Sequence, residues 1–462
     1  MGAARSRRHA ARVTVNGTHP QGVDVAIVGG GAIGASAAVE LANRGASVAV
    51  LERGAELAWG CSAGNAGIVG ASHVLPLADP AAVRDGLRWM TRPDSPFYVR
   101  PRPGVLPWLA RFTAAAAPAR VRHSRTVLRA LATSSAALHA ELDAGGLDAG
   151  YRRRGMLNVF GGERAFAAAR AAAADDAGDG LRAEVLTGHA LTALAPQLIA
   201  PFAGAILYPD EAHVDPLRFV RATGARAVEL GAEVRTGVEV LGLRRRGNRI
   251  DSLWTNHGDL AVGEVVIAAG VWSAGLAAQL GVHLPIEGGK GYHLDVEDRP
   301  GDPELPIWLH ESRVVVTPLD GRVRLAGTLE LTGTDRGVDP RRVDAIAGAV
   351  RRAMPAFASR RTVDVWRGLR PCTPDGLPVI GRPPGVENAI LATGHGMWGL
   401  QLAPLTAQLV AAIASGEPAV HDLRPLRPDR FELGYGPSPS ARRAAAAIFS
   451  SPGSAASSRF LA

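Results

Sequence analysis

At 462 residues the chain is long enough for two or three domains with cores of their own, and its net charge of +8 invites a nucleic-acid reading. That charge sits in the ends: Arg5, Arg7, Arg8 and Arg12 put +4 into residues 1–21 and residues 426–462 add +3, which leaves +1 for the body and argues against a nucleic-acid partner. Two distant cysteines, Cys61 and Cys372, exclude a disulfide framework or a metal-binding spacing, and with no apolar segment after Arg7-Arg8 the chain reads as cytoplasmic.

Residues 1–21 are basic, polar and expected to be disordered. The chain is organised around Val23–Gly34, an apolar strand that breaks into Gly29-Gly30-Gly31-Ala32-Ile33-Gly34 and restarts as a helix to Asn43. Gly29 permits the sharp turn, Gly31 lets backbone approach a pyrophosphate, and Gly34 lets helix pack on strand, so the helix N-terminus faces an anion. A second strand follows, Ser47–Leu51, and Glu52 at its end suits a ribose 2′-hydroxyl and would repel a 2′-phosphate. After Glu52 and Arg53 comes a loop of small residues, Trp59 to Gly67, that lets backbone amides approach a flat or anionic ligand.

Residues 81–117 read as irregular, whereas Leu128, Leu131, Leu138 and Leu142 fall at helical spacing before Gly145-Gly146. Gly155–Phe160 is a predicted strand and Arg164–Ala174 a predicted helix. Asp215-Pro216 supplies an N-cap and first-turn proline for a helix to Leu230. Short strands near Glu233–Thr236 and Val238–Arg244 precede Val265–Ser273, a buried strand ending in small residues and opening another helix. From Leu284 to Val365 alternating strands (Tyr292–Val296, Val314–Thr317, Val323–Gly327) and a helix near Arg341–Met354 read as a mostly antiparallel sheet. Trp366–Gly381 reads as loop, and Ile390–Gln401 as a strand, a glycine-rich turn and the start of an apolar helix whose stretch to Ala414 is too short to span a bilayer. The tail beyond Arg424 is expected to be disordered despite a helical run at Ala441–Phe449.

Three separated glycine-rich loops thus share one pattern. With Asp24–Glu52, the Cys61–Gly67 loop, Val265–Ser273, Lys290-Gly291-Tyr292, Gly368-Leu-Arg370-Pro-x-Thr-Pro-Asp-Gly376 and Gly394-His-Gly396, the chain resembles the FAD-dependent D-amino-acid oxidase family, in its bacterial D-amino-acid and hydroxyproline dehydrogenase branch. The resemblance covers residues 23–418. It implies an α/β fold with a discontinuous Rossmann-like FAD-binding domain (22–80, 212–283, 366–424) and a second substrate domain on a mostly antiparallel sheet (81–211, 284–365).

By the same resemblance Gly29, Gly31, Ala32, Ile33 and Gly34 hold the pyrophosphate and Glu52, followed by Arg53, the adenosine ribose. Ser62, Asn65, Ala66 and Gly67 line the ring side of the cofactor, and Val238 meets the adenine by its backbone. Ala269, Gly270 and Trp272 belong to the strand end packed on the ADP portion. Gly396, Met397, Gly399, Leu400 and Gln401 run along the flavin pyrimidine, where a helix N-terminus stabilises the charge of reduced flavin. Gly64 stands where relatives with covalent flavin carry histidine and Cys372 is offset from their cysteine, so the FAD is expected to be non-covalent.

The resemblance implies direct hydride transfer from the substrate α-carbon to flavin N5, which asks the protein to orient the substrate more than to supply a strong base. Arg370 is the expected carboxylate ligand. Lys290, the one lysine of the chain, is the expected point charge near the flavin or a carboxylate. Tyr292 and His293 stand on opposite faces of one strand, and the resemblance favours Tyr292 for the pocket. His395 reads as a structural turn histidine, and Met397 replaces a second carboxylate-binding arginine of glycine-oxidase-like members. The implied reaction turns a D-amino acid or cyclic imino acid into an imine, with electrons passed to a quinone or similar acceptor. The alternatives are an oxygen-using oxidase, or a flavin-binding subunit inactive without a partner. Peripheral association with the inner face of the membrane and homo- or hetero-oligomers stay open at this level.

Overall fold

The computed structural model describes residues 22–78, 80, 95–178 and 180–432. The basic segment 1–21, residues 81–94 of the stretch read as irregular, and the helical run at 441–449 lie outside the described residues.

The first sheet is built on parallel strands in the order Glu233–Thr236, Val48–Glu52, Val23–Val28, Gly258–Ile267 and Ala389–Thr393. Val25, Ala26, Ile27, Val265, Val266 and Ile267 are fully buried, as strands covered on both faces must be. The first half of Gly258–Ile267 turns outward and pairs antiparallel with Arg249–Thr255, which pairs with Val240–Arg246. The alanine-rich helix Ala32–Asn43 packs against the apolar helix Gly399–Ser415 and against Pro216–Glu229. The Asp215 carboxylate caps Pro216–Glu229 by accepting from the Leu217 and Arg218 amides. The leucine stripe of Pro118–Ala144 buries Leu128 and Leu131 against Leu402, Leu405 and Leu409.

The second sheet has nine strands, mostly antiparallel. Thr362–Cys372 forms one edge, followed by Glu287–Glu297, Arg322–Leu331, Val314–Leu319, Ile307–Leu309, Met156–Phe160, Gly204–Tyr208 and Glu184–Leu186, and Phe97–Val99 lies parallel to the end of Arg322–Leu331. The amphipathic helix Pro340–Ala353 closes one face, packing Ile346 and Val350 on Tyr292, Leu294 and Leu325.

Three expectations need correction. Trp366–Cys372 is not loop: it continues the eleven-residue strand Thr362–Cys372 and belongs to the antiparallel sheet, although residues 366–372 were grouped above with the FAD-binding segments. Gly368 and Pro371 argue for a loop locally, but an edge strand tolerates proline, and the Pro371 carbonyl accepts from the Gly396 amide at 2.9 Å. Within 81–117, Leu106–Ala115 is a helix with Trp108, Leu109 and Phe112 buried, and the Trp108 indole donates to the Cys372 carbonyl at 3.0 Å. Beyond Arg424, the short turns Arg424–Leu426 and Pro428–Phe431 are ordered against the body by buried Phe431 and by the Arg430–Asp375 ion pair at 2.9 Å.

Candidate active site

The first strand ends where the chain needs glycine. Gly29 has φ +112° and a Cβ there would stand 2.6 Å from the Ala268 carbonyl oxygen, while a Cβ on Gly34 would collide with the Gly29 carbonyl. Gly31 differs, because a Cβ would meet only the Ser62 hydroxyl, at 3.0 Å. The backbone here is bare because something must approach it, and the first amide of the helix, Ala32 N–H, already donates to Ser62 Oγ at 3.0 Å. The Glu52 carboxylate accepts from Gly30 at 2.8 Å and Gly54 at 2.7 Å, so it fixes the glycine turn from below as well as lining the space above.

A cavity of about 330 Å³ runs along this turn. Its lining takes in Glu52, Arg53, Val238 and Val240, the turn residues Gly29, Gly31, Ala32 and Ile33, the strand end Ala269, Gly270 and Trp272, and Cys61, Ser62, His395, Gly396 and Gly399. Arg53 is stacked on Trp272 at 3.7 Å and on Trp59 at 4.8 Å, which fixes the wall of the cavity beside Glu52. A cavity lined by a bare helix N-terminus and a carboxylate fits a dinucleotide: Gly29–Gly34 would hold the pyrophosphate of FAD, and Cys61, Ser62 and Gly396 would stand beside its ring.

The loop after Trp59 is clamped rather than free. Asn65 donates to the Met397 carbonyl at 3.0 Å and accepts from Gly67 at 2.8 Å, and Arg324 donates to the carbonyls of Ala63 and Asn65. Asn65, Ala66 and Gly67 therefore tie the loop to the Gly394–Gly399 turn and to the second sheet instead of facing the channel. Leu400 and Gln401 also depart from expectation. Leu400 is buried beside Ala32 and Ala403, and the Gln401 side chain donates to the Gly70 carbonyl, so both side chains are engaged with the protein itself.

Arg370 sits where the two sheets meet. Its strand neighbours Leu369 and Pro371 line the channel, and its guanidinium lies over Gly291, where any Cβ would collide with it. Nη1 donates to the Thr328 carbonyl at 2.8 Å, and no carboxylate pairs with it among the described residues. Burial pulls its pKa below the ordinary arginine value, against the nearby Cys372 and Cys61 thiols. Burial likewise pushes the Cys61 thiol up, with Arg370 only partly opposing. An unpaired, partly desolvated guanidinium is costly to keep without an incoming anion.

Lys290 and Tyr292 take no place in the channel. Both project from Glu287–Glu297 to the face opposite Gly291, where Lys290 pairs with Glu330 at 3.2 Å and Asp335 at 3.4 Å and donates to the Gly337 carbonyl at 2.9 Å. The Tyr292 hydroxyl accepts from the Asp339 amide at 3.2 Å, and its ring belongs to the core under Pro340–Ala353. Burial works against the Lys290 charge, but Glu330 and Tyr292 outweigh it and hold the ammonium above its ordinary pKa. The expectation for both is corrected to an ion-pair cluster that anchors the helix start; strand alternation decides it, since the Arg370 face is the one carrying Gly291 and His293. His293 stacks on Trp366 with centroids 5.3 Å apart, and Trp366 in turn covers Gly64 and Gly368, where a Cβ would strike its ring. Nothing in the glycine pattern of residues 288–291 singled out Thr328; only the strand pairing brings it to Arg370.

Five histidines are kept neutral. Burial, the leading cause, pushes His139, His213, His293 and His310 down to about 4 and His395 to about 3. His395 bonds through Nε2 to Thr406 Oγ1 at 3.0 Å and acts as a turn residue. In the unfolded chain these groups titrate near ~6.5, so below that pH the unfolded state takes up protons that the folded state refuses. Stability is therefore expected to hold above pH ~6.5 and to fall as pH drops from ~6.5 towards 4, by about 2–3 kcal/mol for each such histidine. Urea midpoints at pH 7.5, 6 and 4.5 check this, with His139→Gln flattening the slope; a midpoint unchanged across that window contradicts it.

A family model described as FAD dependent oxidoreductase matches residues 24–413. The chain is 33% identical over 416 residues to a D-amino acid dehydrogenase of Paramagnetospirillum magneticum, covering 88% of this chain and 98% of that one. It is 30% identical over 431 residues to a D-amino-acid oxidase of Bradyrhizobium diazoefficiens, covering 89% and 100%. The glycine oxidase structure from Geobacillus kaustophilus superposes with a TM-score of 0.70 at 27% identity over 89% of this chain and 99% of that one. No helix among the described residues is long and apolar enough to cross a membrane.

Proposed function

The chain belongs to the FAD-dependent oxidoreductases of the D-amino-acid oxidase family, and from that membership we propose that it oxidises the C–N bond of a D-amino acid or a cyclic imino acid to an imine. FAD, when bound, supplies the acceptor for the α-hydrogen and its electron pair. The observation that carries the substrate class is Arg370, a planar fork without a protein carboxylate among the described residues, beside the Cys61 thiol that lines the channel. A substrate carboxylate on that fork would orient the α-carbon toward the cofactor, which is what hydride transfer asks of the protein.

The test is anaerobic bleaching of the bound flavin across D- and L-amino acids, proline, hydroxyproline and sarcosine. Bleaching by D-amino or imino acids, and none by the corresponding decarboxylated amines, is the expected result. A flavin that no amino or imino acid bleaches removes the enzyme reading and leaves a flavin-binding subunit. Admitting air then separates acceptors: rapid peroxide marks the oxidase alternative, which the Bradyrhizobium diazoefficiens relative favours, and reduction of a quinone without peroxide marks the dehydrogenase. A quinone acceptor would bring the chain to a membrane's inner face as a peripheral partner, which cosedimentation of the holoprotein with quinone-loaded vesicles tests.

The cofactor is expected to be dissociable. Trp366 fills the space beside Gly64, leaving no attachment group there. Acid precipitation should release all the yellow colour into the supernatant, and colour kept in the pellet contradicts a non-covalent flavin.

A further inference from the structure

Thr328 stands beside the Arg370 guanidinium in a conformation that threonine avoids. Its φ is +61°, in the left-handed region, where a β-branched side chain is strained by about 1–3 kcal/mol. The cause is a bulge. Gly327 pairs with Tyr292 and Glu330 with Lys290, so two residues, Thr328 and Leu329, oppose the single Gly291. Leu329 lies over Gly289 on the Arg370 face, and Thr328 turns its carbonyl onto Nη1 of Arg370. Glycine would meet this backbone demand without strain, as it does in bulges of this kind. Threonine adds only a hydroxyl and a methyl group, and that hydroxyl is buried with no hydrogen-bond partner among the described residues. A strained residue with an orphaned donor, one hydrogen bond from the substrate-holding guanidinium, is poised for a ligand rather than for the free protein.

We propose that Thr328 is a second anchor for the substrate carboxylate: its hydroxyl donates to one carboxylate oxygen while its carbonyl holds the Arg370 fork that binds the same group. The bulge opposite Gly291 serves both ends. Gly291 leaves room for the guanidinium, and the extra residue opposite it delivers carbonyl and hydroxyl together. This inference rests on Arg370 as the carboxylate ligand.

Anthranilate, an amino carboxylate with no α-hydrogen to lose, serves as the probe, with aniline as the control lacking the carboxylate. Binding to the holoprotein is read from the flavin spectrum, and Tm is measured in parallel. Thr328→Val keeps shape and backbone strain but removes the donor. It should weaken anthranilate about tenfold or more, leave aniline unaffected, and leave Tm unchanged or higher. Thr328→Gly should weaken anthranilate similarly, and Thr328→Ser should restore wild-type affinity. With a turned-over D-amino acid, Thr328→Val should raise KM more than it lowers kcat. Wild-type anthranilate affinity in both the valine and glycine variants overturns the proposal, as does a loss that appears only together with a large fall in Tm. Arg370→Gln distinguishes the failures: if it abolishes binding while Thr328→Val does not, only the second anchor is lost, and if it too binds normally, the carboxylate reading of Arg370 falls.

Discussion

Replacing Arg370 by alanine is expected to lower kcat/KM for a D-amino acid by about 10²–10³-fold while leaving the folded protein no less stable. Truncating one member of a desolvated, hydrogen-bonded charge pair typically costs about 2–5 kcal/mol, and here the pair forms only when substrate arrives. In the free protein the guanidinium has one bond, to the Thr328 carbonyl, and no counter-charge among the described residues, so its removal relieves a burial cost rather than breaking an ion pair. The two effects have opposite signs, which a merely structural arginine would not show. Arg370→Lys should recover part of the activity, since it restores a charge but not the two parallel donors. Wild-type and variant should also differ in discrimination: the wild type prefers the amino acid over its decarboxylated amine, and Arg370→Ala should lose that preference. Equal kcat/KM in wild type and variant would show that the carboxylate is held elsewhere.

Gly31→Asp should separate folding from cofactor binding. Gly31 is the N-cap of Ala32–Asn43, and a side chain there meets only the Ser62 hydroxyl, so the fold can accept it. An aspartate at an N-cap accepts amide hydrogen bonds and favours the positive end of the helix, by about 0.3 kcal/mol relative to glycine. The same carboxylate occupies the path of the pyrophosphate. Two like charges about 4 Å apart repel by roughly 4 kcal/mol at an effective dielectric of about 20, which predicts FAD affinity lower by about 10²–10³-fold. The apoprotein should therefore unfold at the same or a slightly higher temperature while the preparation comes out colourless. Gly34→Ala is the contrast, because its Cβ would collide with the Gly29 carbonyl and damage the strand–helix joint itself. A yellow Gly31→Asp protein of normal FAD affinity, measured by fluorescence titration, would remove the pyrophosphate from this turn.

These expectations differ in how much of them could be read before the fold was known. The glycine turn is local: Gly29 needs a positive φ, Gly34 faces the strand one turn away, and Glu52 closes the neighbouring strand, so spacing along the chain reports the geometry directly. Asp215 as an N-cap and the leucines of Pro118–Ala144 are legible for the same reason. Lys290 shows the opposite case. Its rarity marked it, but composition carries no direction, and strand alternation sends it to Glu330 rather than to the channel. Leu400 and Gln401 spend their side chains on the protein, because a helix N-terminus offers its backbone, not its second and third side chains, to what lies in front of it.

The amino-acid sequence by itself determined the glycine turn, the family and through it the fold, because each is written in contacts between near neighbours or in a motif of fixed spacing; it also nominated Arg370, which the bleaching and binding tests must decide. Only the tertiary structure decided which face of Glu287–Glu297 meets the substrate side, that Thr362–Cys372 is a strand, and that Thr328 stands beside Arg370. Those depend on register between strands 30 to 80 residues apart, as in the pairings of Lys290 with Glu330 and Leu369. A one-residue shift in such a register turns every side chain to the other face, and no local propensity records it.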